Sequence, residues 1–172
     1  MPSLLLAVVL VLAGCTQRAA SSANVKQPVI ASGEVGSPLP EFAVLDLHGQ
    51  PISTADLRGK VLLIDFWATW CEPCKKEMPG YQKLLDRYAP RGFAVVGFKF
   101  DTMADSENPV SFARRIGVHY PLALVSDDLK QKFGGIEGLP TTLLYDRRGI
   151  LRKKIIGFEY TDVVEAELKS LL

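Results

Sequence analysis

The sequence is short of the residues that most often carry chemistry, with three cysteines and two histidines in 172 residues. His48 and His119 stand far apart and share no ligand spacing, which excludes a zinc site built on paired histidines and cysteines. Excess charge is lacking too. Twenty basic against nineteen acidic side chains give a net charge of +1, so there is neither a nucleic-acid footprint nor a polybasic membrane patch. Long apolar runs are missing as well: Leu4–Ala13 is too short for a membrane-spanning helix. Residues 1–14 hold no Lys or Arg, so the terminal amine is the only positive charge ahead of that run. No internal repeat is present.

What is there begins at that same run, which has the length of a signal-peptide core. It leads into Leu12-Ala13-Gly14-Cys15, which resembles a bacterial lipobox, where the signal is cut before the cysteine and the sulfur carries a lipid. The small residues Ala13 and Gly14 suit that processing; the missing basic residues depart from the pattern. Residues 1–14 are therefore expected to be a lipoprotein-type signal peptide, with Cys15 as the lipidation site and membrane anchor. The protein would then face the periplasm or the cell exterior. Thr16 is not the Asp that resembles an inner-membrane retention signal. Residues 15–38, rich in Ser, Ala, Gln, Asn, Gly and Pro, read as a flexible tether. Residues 39–172 form one domain, long enough to bury a core without a structural disulfide.

Within that domain, Phe42–Leu47 and Pro51-Ile52 suggest an N-terminal β-hairpin. Val61–Phe66 and Phe93–Phe100 are apolar enough for central strands covered on both faces. Pro73–Tyr88 has helical spacing, with Met78, Tyr81, Leu84, Leu85 and Tyr88 on one stripe. Asn108-Pro109 reads as an N-cap and first position of a helix to Ile116. A short strand Leu122–Val125 and a short helix Asp128–Phe133 follow. Thr141–Tyr145 and Ile150–Ile156 flank a turn at Asp146–Gly149, and a last helix runs from Asp162 to Leu172. Thr161 or Asp162 should cap that helix, with Glu165 completing a capping box. The order predicts an α/β fold with a mixed central sheet flanked by helices.

Trp70-Cys71-Glu72-Pro73-Cys74 lies where the first central strand passes into the long helix. That spacing brings two sulfurs within one helical turn, within reach of a disulfide. It also sets Cys71 at the positive end of the helix dipole, where a thiolate is favoured. Thiol–disulfide exchange is the chemistry such a pair performs, and export permits the disulfide. Cys71, the first and more solvent-near sulfur, is the expected nucleophile; Cys74 resolves the mixed disulfide. Pro73 shapes the first turn and removes a donor, while the charge of Glu72 disfavours the neighbouring thiolate and so favours a reductant. Asp65 is the one ionisable residue in its apolar strand, and burial there would raise its pKa. Glu77 lies one turn beyond Cys74 on the same face.

Asp65–Glu77, Pro79 and Gly138-Leu139-Pro140-Thr141-Thr142 together resemble the thioredoxin-like reductases of the TlpA/ResA type. The resemblance covers about Pro40 to the C-terminus and includes an inserted αβ unit between Thr102 and Val125. It implies a thioredoxin-like fold with a cis Leu139–Pro140 bond facing the dithiol. It also implies proton-transfer roles for Asp65 and Glu77, and a client-docking surface formed by Trp70, Glu72, Pro73, Leu139 and Pro140. The activity implied is that of an extracytoplasmic protein disulfide reductase, expected to be monomeric. A membrane thiol donor would supply electrons, and the client would be a disulfide-bearing protein, such as an apocytochrome c during cytochrome c maturation. No metal and no cofactor beyond the redox-active Cys71–Cys74 pair are expected. A thiol peroxidase would want Thr three residues before its cysteine, where this chain has Ala68. A copper-binding thioredoxin-like chaperone would space its cysteines by three residues rather than two and add a distal His, for which His119 is a weak candidate.

Overall fold

The structure, a computed structural model, describes residues 33–100 and 107–172. The expected signal peptide, Cys15, most of the tether and the start of the inserted unit lie outside the described residues. No described helix is long and apolar enough to cross a membrane. The end of the expected tether is held to the domain: Gly36 N–H donates to the Leu151 carbonyl at 2.8 Å, and the Ser37 carbonyl accepts the N–H of Leu151 at 2.9 Å.

A short antiparallel hairpin, β1 (Ala43–Leu45) and β2 (Pro51–Ser53), leads into a one-turn helix, α1 (Thr54–Leu57). The central strand β3 (Val61–Trp67) is followed by the long helix α2 (Glu72–Tyr88) and then β4 (Phe93–Lys99). Helix α3 (Pro109–Arg115) crosses to β5 (Leu122–Leu124), and α4 (Asp127–Lys132) leads to the hairpin β6 (Thr141–Tyr145) and β7 (Leu151–Ile156). Helix α5 (Thr161–Leu171) closes the chain. The five-stranded sheet has the order β5-β4-β3-β6-β7; β4 is parallel to β3 and β5, whereas β6 is antiparallel to β3 and β7. It is the mixed sheet that the alternation of elements predicted.

Every residue of β3 is buried, as a central strand with both faces covered must be. Its side chains alternate between two cores. Val61, Leu63 and Trp67 pack with α2, α3 and α5, while Leu62, Ile64 and Phe66 pack with the hairpin, α1 and α4. Asn108 caps α3 as its sequence suggested, accepting from the N–H groups of Val110 and Ser111 at 3.0 and 3.1 Å. Helix α5 departs from expectation. Its N-cap is Tyr160 and no side chain caps it. Thr161 is instead pressed onto Gly80 of α2, where an added Cβ would stand 2.0 Å from its hydroxyl. Glu165 turns to α2 as well, accepting from the Tyr88 hydroxyl at 2.6 Å and from Arg87 at 2.7 Å. Contact between the two helices thus outweighs the local cap. Helix α1 was not anticipated; four residues are too few to show a period.

Candidate active site

β3 ends at the pole where α2 begins, and the junction delivers the two cysteines. Cys71 is the N-cap of α2, and its sulfur accepts the N–H of Cys74 at 3.3 Å. This is the donor arrangement that favours a thiolate. The two residues are disulfide-bonded, with Cα atoms 5.3 Å apart. Cys71 is 3% exposed and Cys74 0%, so the first cysteine is the more exposed of a nearly buried pair. Trp70 beside it is 46% exposed, whereas Trp67 is buried and stacks on Phe112. Glu72 points to solvent and pairs with Lys75, which holds its carboxyl below the ordinary value through that hydrogen bond and the lysine charge. Glu72 therefore acts on Cys71 as half of an ion pair rather than as an isolated charge.

The bond between Leu139 and Pro140 is cis, as expected. Leu139 is partly buried and packs against both cores, one of which contains the two cysteines. The Pro140 carbonyl accepts the N–H of Gly157 at 2.8 Å, and the Thr141 hydroxyl donates to the Gly138 carbonyl at 2.7 Å.

Behind the dithiol lie two buried acids. Asp65 is 0% exposed in β3, between Gly97 of β4 and Thr142 of β6 in register. Burial pushes its pKa from 3.8 up to about 7, with the Tyr120 hydroxyl acting in the opposite direction. Glu77 is 1% exposed, not a solvated helix residue. Desolvation and then the Asp65 charge raise its pKa from 4.5 to about 9, opposed by the Glu159 backbone and Tyr81. Neither carboxyl closes a well-formed hydrogen bond with the protein. Two phenols complete the group: Tyr81, whose hydroxyl is 2.9 Å from that of Thr142, and Tyr120. Burial, together with the neighbouring carboxylates, pushes both phenols further up. The helical spacing marks Tyr81 only as core, Thr142 stands out in the sequence only as part of the Gly138–Thr142 motif, and Tyr120 does not stand out at all. Thr142 could have been found from the two-residue period of β6, which turns it to the Asp65 side; Tyr120 carried no local signal.

Among the described residues no group of three or more His, Cys, Asp or Glu is placed to hold a metal. The arrangement is one of sulfur and protons: a disulfide that exchanges, and buried acids able to take or give a proton. Residues 35–154 match the AhpC/TSA family. The chain belongs to the AhpC/TSA family. Within it, the sequence is 34% identical over 141 residues to the thiol-disulfide oxidoreductase ResA of Bacillus anthracis, covering 80% of this chain and 79% of that protein. It is 33% identical over 123 residues to the thioredoxin-like protein YneN of Bacillus subtilis, covering 71% of each. Its fold is similar to the crystal structure of a thiol:disulfide interchange protein of the thioredoxin family from Chlorobium tepidum, with a TM-score of 0.73 and 29% identity. That match covers 80% of this chain and 97% of the other. This AhpC/TSA-family protein therefore has a thioredoxin-like fold and is a thiol-disulfide oxidoreductase.

Proposed function

We propose that the protein is an exported, lipid-anchored reductase of protein disulfides, working through Cys71 and Cys74. The observation that carries this reading is a dithiol at a helix start backed by two buried, mutually repelling acids. In the reduced state the Cys71 thiolate attacks a client disulfide, forming a mixed disulfide and releasing one client thiolate. Cys74 then loses its proton and attacks the Cys71 sulfur. The second client thiolate leaves, and the Cys71–Cys74 disulfide remains. The client gains two electrons and the protein loses two, so no further cofactor is needed. A membrane thiol donor returns the pair to the dithiol.

Asp65, with its pKa near neutrality, is the acceptor for the Cys74 proton; Glu77, protonated at pH 7, is the donor to a departing thiolate. Trp70, Glu72, Pro73, Leu139 and Pro140 form the client-facing surface. Pro140 has no N–H to hold the sulfur, and its neighbours offer backbone for an extended client segment. The apolar run Leu4–Ala13 leading into Gly14-Cys15 supports anchoring outside the cytoplasm, and the likeness to ResA supports a client such as an apocytochrome c. Ala68, fully buried, leaves no hydroxyl where a peroxidase on this fold would use one.

A Cys74→Ser variant of the full chain, expressed in its native host, tests the proposal. Mixed disulfides on Cys71 should accumulate in the exported membrane fraction and contain a client with paired cysteines. A variant that traps nothing there would overturn the reading.

A further inference from the structure

Asp65 pairs in register with Gly97 of β4, the strand's only residue without a side chain. A Cβ on Gly97 would stand 2.5 Å from Leu122 Cδ2, 3.0 Å from Trp67 Nε1 and 3.2 Å from Tyr120 Cε2. The glycine thus leaves a notch opposite Asp65, and the side chain of Leu122, the Trp67 indole and the ring of Tyr120 close over it. The loop that carries Tyr120 is fixed from two sides. Gln82 Oε1 of α2 accepts the N–H groups of His119 and Tyr120 at 2.8 and 3.1 Å, and the Pro121 carbonyl accepts the N–H of Gly97 at 2.9 Å. Tyr120 is 3% exposed and lines a partly open cleft of about 240 Å³ with His48, Arg114 and His119.

The hydroxyl is the informative atom. It is buried, it forms no fully made hydrogen bond, and it lies close enough to Asp65 to favour the ionised carboxylate. Phenylalanine would fill the same notch without the cost of burying a polar atom. That cost points to a use. The other groups that face Asp65 are Glu77 and Tyr81 from α2 and Thr142 from β6, and none of them is a cation. Lys99, two residues along β4, gives its ammonium to the Phe100 carbonyl at 2.9 Å. With acids and phenols around it, Asp65 has in Tyr120 a neutral donor on the β4 side of the sheet.

We propose that Tyr120 is a positioning residue for the exchange reaction: from the notch over Gly97, its hydroxyl orients Asp65 and steadies it as a carboxylate ready to take the proton of Cys74. The inference rests on reading Asp65 as that acceptor. Its removal should make ionised Asp65 scarcer at neutral pH while leaving Cys71 and Cys74 untouched.

The test compares the parent, Tyr120→Phe, Asp65→Asn and the double variant. Each reduced protein reacts with oxidised glutathione between pH 5 and pH 9, alongside a thermal unfolding control. Tyr120→Phe should shift the rate profile toward higher pH, slowing the reaction about two- to tenfold near pH 6.5, the range that loss of one hydrogen bond allows. The two profiles should converge above pH 8. In the Asp65→Asn background the same substitution should change nothing. A Tyr120→Phe profile that superimposes on the parent's, while Asp65→Asn moves it, overturns the role of Tyr120 alone. So does an equal shift in both backgrounds. If Asp65→Asn itself leaves the profile unchanged, Asp65 is not the acceptor and both readings fall.

Discussion

The two faces of the central sheet are built to opposite rules. On one side Phe42, Phe66, Phe98 and Phe133 pack ring against ring at centroid distances of 5.3–6.1 Å. On the other, Asp65 shares the interior with Glu77, Tyr81, Tyr120 and the cysteines. Moving one residue along β3 passes from Phe66 to Asp65 and so from one environment to the other. The aromatic face contributes burial and dispersion. The acid face gives up stability, because carboxyls held away from water resist ionisation, and that resistance brings their titration into the working range. The sheet carries an aromatic core on one side and buried titratable groups on the other.

The largest effect that would sharpen this contrast is on the aromatic side. Phe133→Ala should destabilise the fold by about 3–5 kcal/mol through the cavity it leaves. Chemical denaturation should show that loss, while the pH dependence of disulfide exchange stays where it was. A moved profile would mean that the two faces are not independent. On the acid side the sign reverses. Asp65 titrates at about 7 when folded against 3.8 ordinarily, so the folded state holds this proton more tightly than the unfolded chain. Ionising it therefore costs stability progressively as the pH rises from about 4 to about 7, and below that window the cost is absent. Asp65→Asn should accordingly stabilise the protein above pH 7 by on the order of 2–4 kcal/mol, with the gain vanishing near pH 4. Denaturant titrations at both pH values would show it, and a gain equal at the two would break the argument. The smallest effect belongs to neither interior. Glu72→Gln removes an exposed charge already paired with Lys75, so Cys71 alkylation at low salt should quicken by no more than about twofold.

Legibility followed the range of the interaction. The dithiol, the strands and helices around it, and the Asn108 cap rest on neighbours in sequence, and they were readable there. Glu77 shows where that reading stops. Its spacing from Cys74 placed it on the same helix face, but one helix cannot tell a solvated glutamate from one enclosed with Asp65, Tyr81 and the Glu159 backbone. Glu165 makes the same point from the other side: its spacing suited a capping box, and Tyr88 and Arg87 of a distant helix took it instead. Tyr120 was silent in the sequence because its meaning lies in Gly97 and Asp65, two residues that only strand pairing brings together.

The sequence by itself determined the reaction. Two cysteines two residues apart at a strand-to-helix junction can exchange disulfides wherever that junction is placed, because the helix start and the covalent spacing are local. Only the tertiary structure decided where the buried acids titrate. A carboxyl's pKa depends on how much water and which charges remain around it, and for Asp65 and Glu77 those surroundings come from α2, β4, β6 and the loop before β5 closing over one another.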